Sequence, residues 1–240
     1  MRTHKLFLTT AVATLFSVGA FAQTVDELVT KHVAALGGSD KLAGVKSLVI
    51  ESTLSVNGMD IPSKTMVVVG KSMRSETSVM GSSMVQVIDG NSGWMIRPAM
   101  MGGSGDPEDM PAEMVKQQID QLYPFGALVG YQEKGYQVEL VGKEKVDGKD
   151  TYHLKITGKD GQVTDEYLDA MTYLVSKVQR KSTDGKPGEL LLSNYKEVDG
   201  IKFPQTMEIA GGQMGTLTFT TDKVKVNAPI DEKLFKKGAK

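Results

Sequence analysis

The sequence predicts a mainly β protein with a few helices, in which one antiparallel sheet curves into an open barrel. The first observation is a series of Asp-Gly and Gly-Gly pairs through residues 137–226, which supply the positive φ angles of tight turns. The second is the period-two alternation of apolar residues between those turns, which is typical of half-buried strands. We expect about six or seven strands in this β-meander and about a dozen in all, too many to stay flat.

The first 22 residues have the three parts of a secretory signal peptide. A basic start precedes an uncharged apolar run over residues 6–18, and Ala20-Phe21-Ala22 has the small-x-small pattern of a cleavage site. The apolar run is too short to span a bilayer. We expect cleavage after Ala22, release into the periplasm, and a mature chain of residues 23–240 without a transmembrane segment.

Composition excludes several classes of protein. The formal net charge of −1 is small and evenly spread, so neither nucleic acid nor an anionic membrane surface is an expected partner. The chain has no cysteine and three histidines, which excludes the common zinc and redox frameworks. Neither a P-loop nor a dinucleotide fingerprint is present. We therefore expect no enzyme activity, no catalytic residue, no metal site and no cofactor.

Residues 24–45 carry the pattern of two short helices. Thr24 and Glu27 have the spacing of a capping box, and an apolar stripe follows them with helical periodicity. Gly37 and its neighbouring glycine end the first helix, and a second one follows within the same range. His32 falls on the buried stripe, so we interpret it as a packed core residue and not as a metal ligand.

A helical insertion interrupts the β pattern. Five strands are predicted within residues 47–97, and the insertion covers residues 107–130. Its apolar stripe has helical spacing and comprises Ala112, Val115, Ile119 and Leu122. Two interpretations stay open, namely a static plug of ordinary core and a mobile lid over an apolar cavity. Ten of the 14 methionines lie between Met59 and Met114, and such flexible side chains suit a surface that adapts to several apolar shapes.

Several local runs resemble a known family. Asp89 to Pro98 fits the D-G-x-x-x-W-x-x-x-P strand pair of the outer-membrane lipoprotein carrier superfamily, the LolA/LolB-like proteins. The run ALGG at 35–38, V-K-S-L at 45–48, residues 194–204 and V-N-x-P-I-D at 226–231 resemble secreted LolA-like lipoprotein-sorting proteins of Bacteroidota-type bacteria. This second resemblance covers nearly the whole mature chain.

The resemblance implies an unclosed antiparallel β half-barrel with a helical lid over a hydrophobic cavity, built as one domain from residues 23–240. It also implies a periplasmic carrier of lipid acyl chains that takes part in sorting lipoproteins to the outer membrane. The family holds its lid with an arginine, and Lys71 or Arg74 is the candidate for that latch here. The candidate residues of the cavity and lid are Met66, Val68, Trp94, Ile96, Met110, Met114, Val115, Ile119, Leu122 and Phe125.

Alternatives to a carrier remain open at this point. The same fold could serve as an envelope lipid sensor or scaffold module, in which the cavity reports lipids to a protein partner. An enzyme is disfavoured, because the sequence has no catalytic constellation. Under the carrier interpretation the expected partners are lipid acyl chains or lipoproteins and an outer-membrane acceptor, and the protein is expected to be a monomer.

Overall fold

The computed structural model describes residues 23–159, 161–181, 187–210 and 215–239. The predicted signal peptide, residues 1–22, lies outside the described residues. Two helices begin the described chain, α1 at Val25–Leu36 and α2 at Ser39–Gly44. Thr24 and Glu27 form the predicted capping box in both directions, and Gly37 caps the helix end. His32 is 1% exposed and its Nδ1 donates to the carbonyl oxygen of Tyr173 at 2.8 Å, so its prediction as a packed core residue is confirmed.

Fifteen strands are found in the part of the chain that the structure describes. They are β1 Ser47–Val56, β2 Met59–Val68, β3 Ser72–Val79, β4 Ser82–Asp89, β5 Ser92–Ile96, β6 Pro107–Asp109, β7 Gln137–Val146, β8 Lys149–Thr157, β9 Val163–Asp169, β10 Val175–Lys181, β11 Pro187–Ser193, β12 Lys196–Val198, β13 Ile201–Phe203, β14 Thr206–Ala210 and β15 Thr216–Val226. The five strands predicted before the insertion are β1 to β5.

Thirteen strands form one antiparallel sheet, in the order β6-β5-β4-β3-β2-β1-β15-β14-β11-β10-β9-β8-β7. The pairing of β1 with β15 joins the first strands of the chain to the last one. The sheet does not close, because its two edges are β6 and β7. The prediction of a mainly β protein with an unclosed antiparallel half-barrel is therefore confirmed.

Two details of the prediction are corrected. Strands β12 and β13 form a separate hairpin that packs against α1, while the other seven strands of the meander join the main sheet. A β-carbon at Gly37 would lie 2.4 Å from the carbonyl oxygen of Gly200, so a glycine is needed where α1 meets this hairpin. The predicted helical insertion begins as a strand, because Pro107–Asp109 pairs with β5 as the edge strand β6. Pro107 is its first residue, a position that a proline tolerates at a sheet edge.

The core lies on the concave face of the sheet. Strand register aligns Leu48, Val67, Met73 and Ile88 across β1 to β4, and each of them is at most 2% exposed. On the other wall Leu154 and Leu168 are fully buried and pack with Leu28 of α1. The helices and the insertion therefore fill part of the concavity as ordinary close-packed core.

The convex face carries a smaller buried cluster. Trp94, Val87 and Val85 pack there against Phe235, which belongs to the 3₁₀ turn Glu232–Phe235 near the C-terminus. We call residues 227–239 the C-terminal segment. It covers the outside of β3 to β5, so these strands are buried on both faces.

Candidate functional site

The segment between the two sheet edges is the central feature of the site. Residues 110–136 run from β6 to β7, and we call them the bridging segment. They contain helix α3, Ala112–Gln118, followed by the 3₁₀ turn Ile119–Leu122. The helical spacing predicted from Ala112 to Leu122 is therefore an α-helix only as far as Gln118, and it tightens into the 3₁₀ turn before Pro124, as helix termini often do. Because β6 and β7 are consecutive in the chain, this segment must span the gap in the half-barrel.

Polar contacts fasten the bridging segment to both walls of the half-barrel. On one wall, Gln86 of β4 donates its amide to Gln118. On the other wall, Arg180 of β10 lies 3.1 Å from the carboxylate of Asp120, which also accepts from the hydroxyl of Tyr136 at 3.1 Å. The bridging segment therefore crosses the concave face and is hydrogen-bonded to the strands on both sides of it.

The underside of the bridging segment is apolar. Met110, Val115 and Leu122 are buried in the cluster formed with Leu48, Val67, Met73 and Ile88. Ile119 and Phe125 are partly buried against the same cluster. Met114 is 37% exposed and Ala112 is exposed, so neither of them contributes to this contact.

On another part of the concave face, the described residues provide no such cover. Register places Leu54 opposite Phe219 and Phe219 opposite Met207, while Leu217, Ile209 and Leu190 form a second row across β15, β14 and β11. Leu54 shares its side of β1 with Leu48, since both are at even positions of a regular strand. We call these six residues the open strip. Five are half-buried and Ile209 is 37% exposed, whereas Leu48 is fully buried.

A groove lies where the bridging segment meets β8 and β9, and we call it the seam groove. Its volume is about 500 Å³, within the usual range for small-molecule sites. It is lined by Lys116, Gln117, Ile119, Asp120, Tyr123, Ala127, Glu133, Lys134, Tyr136, Ile156, Gly158, Lys159, Gln162 and Thr164. A second hollow of about 410 Å³ is lined mainly by polar and charged residues such as Glu51, Lys64 and Glu76.

A buried carboxyl group lies beneath the bridging segment. Glu166 of β9 is 2% exposed, and its Oε1 accepts the backbone N–H of Ala127 at 3.3 Å. Its Oε2 has no partner among the described residues. Burial raises the pKa of Glu166 above its ordinary value, while the Ala127 N–H and the positive charge of Arg180 lower it by less.

The predicted cavity residues divide between the two faces of the sheet. Met66, Val68, Trp94 and Ile96 lie on the convex side, where Trp94 donates its Nε1–H to the carbonyl oxygen of Phe235 at 2.9 Å. The residues predicted from the insertion lie on the concave side or face solvent. The ten cavity and lid candidates therefore do not share one face of the sheet. Moving by one position along a strand changes the face, and alternation alone does not say which face is concave.

The predicted latch residues hold a different part of the chain. Lys71 forms an ion pair with Glu232 at 2.7 Å, and Arg74 donates to the carbonyl oxygen of Leu234 at 2.7 Å. Both side chains thus bind the C-terminal segment, whereas the predicted latch was expected to hold the insertion. The contact between Asp120 and Arg180 was missed, because no local pattern connects residues so far apart in sequence.

No helix among residues 23–159, 161–181, 187–210 and 215–239 is long and apolar enough to cross a membrane. In the same residues, no group of three His, Asp or Glu side chains is placed to hold a metal ion.

Comparisons with known proteins agree with this architecture. A protein-family model described only as "uncharacterized protein" matches residues 127–239, which is less than half of the chain. No curated protein matches the sequence. A LolA superfamily protein from Nitrosomonas europaea has a similar structure, with a TM-score of 0.58 at 14% identity over 90% of this chain and 99% of that one.

Two further solved structures are similar to the same extent. A DUF1329 family protein from Desulfovibrio piger has a TM-score of 0.57 at 17% identity, over 88% of this chain and 97% of its own. A domain named for outer membrane lipoprotein sorting, from Vibrio parahaemolyticus, has a TM-score of 0.55 at 17% identity with the same coverage of 88% and 97%. The chain therefore has the LolA-like fold, as the resemblance in its sequence predicts.

Proposed function

We propose that this protein binds and carries lipid acyl chains on the concave face of its half-barrel. The observation that supports the proposal most directly is the open strip, a set of six apolar side chains that lie outside the buried clusters of the described residues. Contiguous apolar patches on monomeric proteins often mark binding sites. An acyl chain gains about 0.8 kcal/mol for each CH₂ group that it removes from water, so such a surface suits it.

The bridging segment suits the role of a cover for bound lipid. Its apolar underside packs on the sheet, and one of its polar contacts, the ion pair between Asp120 and Arg180, is partly open to solvent. Exposed ion pairs contribute about 0–1 kcal/mol, so breaking this contact costs little. Uncovering the buried side chains of Val115 and Leu122 costs about 1.5–3 kcal/mol each, which an acyl chain that takes their place on the apolar face offsets. In the carrier, it swings away from the concave face when cargo enters or leaves.

The proposal includes a compartment and a cargo. We infer that the mature chain begins at Gln23, acts in the periplasm as a monomer, and passes lipoproteins to an outer-membrane acceptor. The pattern of residues 1–22 and the LolA-like fold support this inference. The intact mass of the exported protein tests the cleavage site, and a mass that retains residues 1–22 would contradict it.

A pair of neighbouring substitutions tests the binding surface. Phe219→Asp places a charge in the open strip, while Thr220→Asp places the same charge at an exposed position on the other face of β15. Titration of a fluorescent lipopeptide into each mature variant is expected to show binding lost in Phe219→Asp and kept in Thr220→Asp. Thermal melts check that both variants fold. Equal lipopeptide binding by the two folded variants would sink the proposal.

A further inference from the structure

The seam groove has the composition of an amphiphile site. Ile119, Ala127 and Ile156 supply apolar surface, and two tyrosines line the same space. The lining carries three lysines, Lys116, Lys134 and Lys159, and two carboxylates, so positive charge is in excess. None of the six residues of the open strip lines this groove, so it is a second site on the molecule.

The positive charge of Lys134 is not neutralised by an ion pair with any described residue. Its Nζ donates to the carbonyl oxygen of Gly126 at 2.9 Å and lies 4.8 Å from the ring centroid of Tyr123. Among the described residues, no carboxylate is within ion-pair distance of it. The nearby carboxylate of Asp120 is already engaged by Arg180 and Tyr136. Burial lowers the pKa of Lys134, while the negative charges of Asp120, Glu166 and Glu133 raise it by less, so the nearby carboxylates do not fully compensate the burial of this ammonium group.

Lys159 also lines the seam groove, because the absence of a side chain at Gly135 leaves room for it. A β-carbon at Gly135 would lie 2.2 Å from Cε of Lys159, so this lysine passes directly over the Gly135 backbone. Gly135 also has a φ of +69°, which a larger residue adopts only with strain. Lys134 and Lys159 therefore both line the seam groove, and Lys159 lies against the Gly135 backbone.

We propose that the seam groove binds a single-chain anionic amphiphile, with its carboxylate or phosphate at Lys134 and Lys159 and its alkyl chain along Ile119, Ala127 and Ile156. Lysine binds such headgroups as a point charge, and hydrogen bonds to charged groups are stronger than neutral ones. The groove volume of about 500 Å³ suits one chain better than several. The inference goes beyond the proposed function, because it adds a headgroup requirement at a separate site.

The test compares headgroups on the same alkyl chain. Calorimetric titration of the mature protein with palmitate, palmitoyl lysophosphatidate and monopalmitoylglycerol is expected to show tighter binding of the two anionic lipids. Their affinity falls as salt concentration rises, while that of the neutral glyceride does not. Inorganic phosphate is titrated alone as a further probe. If it binds as tightly as lysophosphatidate, the alkyl chain contributes nothing and the amphiphile assignment is overturned.

Variants locate the headgroup. Lys134→Gln is expected to weaken palmitate binding about tenfold while leaving glyceride binding unchanged. Lys223→Gln, at an exposed position on β15, is the matched control and is expected to change neither. Lys134→Arg keeps the charge and is expected to keep most of the palmitate affinity. This result would show that the loss in Lys134→Gln comes from the missing charge and not from a change in the fold.

The outcomes separate this inference from the proposed function. Unchanged palmitate binding in Lys134→Gln, or an equal loss for palmitate and the glyceride, would overturn the headgroup site while leaving the open strip untouched. Equal affinity of the wild-type protein for the anionic and neutral lipids would also overturn the headgroup site without bearing on the open strip. Failure of the lipopeptide to bind, together with normal headgroup selectivity for palmitate, would instead overturn the proposed function alone.

Discussion

Two regions of the concave face differ in cover although they share strands and residue types. Leu48 and Leu54 stand on the same side of β1, yet Leu48 is fully buried and Leu54 is half-buried. The difference arises from what lies above them, because the bridging segment and the helices cover only part of the sheet. The residue type of an apolar side chain therefore does not decide whether it belongs to the core or to a candidate binding surface. Its position along the strand decides this.

The largest expected effect is a charge placed under the bridging segment. Val115→Asp buries an unpaired carboxylate at a position that is 2% exposed, and we expect a loss of about 4 kcal/mol or more in unfolding free energy. Ile119→Asp lies beside the seam groove and is half-buried, so the protein is expected to stay folded with weaker lipid binding. Thermal melts and a fluorescent-lipid assay measure both. Unfolding of Ile119→Asp would favour a static plug over a lid.

Truncation within β1 compares the two regions directly. Leu48→Ala is expected to cost about 2–5 kcal/mol, because it leaves a cavity in close-packed core. Leu54→Ala is expected to cost about 1 kcal/mol or less, because its side chain is only partly removed from water. Chemical denaturation of the two variants measures the difference. Equal costs would mean that Leu54 is covered in solution and is not part of an open surface.

Glu166 gives the covered region a pH dependence that the apolar open strip lacks. Burial raises the pKa of this carboxyl, so the folded protein holds the proton more tightly than the unfolded chain does. The contribution of Glu166 to the unfolding free energy is fully present below its ordinary pKa of 4.5. It is lost as pH rises through the raised pKa that the carboxyl has in the folded protein. Glu166→Gln stays neutral and keeps an oxygen that can accept from Ala127. Its melting temperature is therefore expected to exceed that of the wild type by a margin that grows as pH rises from 4.5 to the raised pKa and stays constant above it.

The control for this prediction is the same comparison in acid. Below the ordinary pKa both side chains are neutral, so wild type and Glu166→Gln are expected to melt at similar temperatures. A constant difference at every pH would show that the variant acts through packing and not through the buried charge.

The smallest expected effect concerns Trp94, the only tryptophan in the chain. It is 4% exposed on the convex face beneath the C-terminal segment, on the side of the sheet opposite the open strip. Its fluorescence is therefore expected to stay unchanged when lipid binds. Phe235→Ala, which removes its packing partner, is expected to shift the emission without lipid. A shift caused by lipid in the wild-type protein would place cargo on the convex face or link that face to binding.

The sequence by itself determined the local structure of this protein. The capping box of α1, the five strands of residues 47–97 and most turns of the meander follow from contacts that span only a few residues, so a short stretch of sequence is sufficient to predict them. The buried position of His32 also followed from helical periodicity alone.

Only the tertiary structure decided which face each strand residue occupies and where the barrel stays open. Trp94 and Met66 alternate as regularly as their neighbours, and alternation has two equivalent faces until the strands pair and curl. The pairing of β1 with β15, and the ion pair between Asp120 and Arg180, join residues that are distant in sequence and carry no local signal of each other. The open strip and the seam groove exist because these long-range pairings leave β6 and β7 apart, with one short segment to cover the space between them.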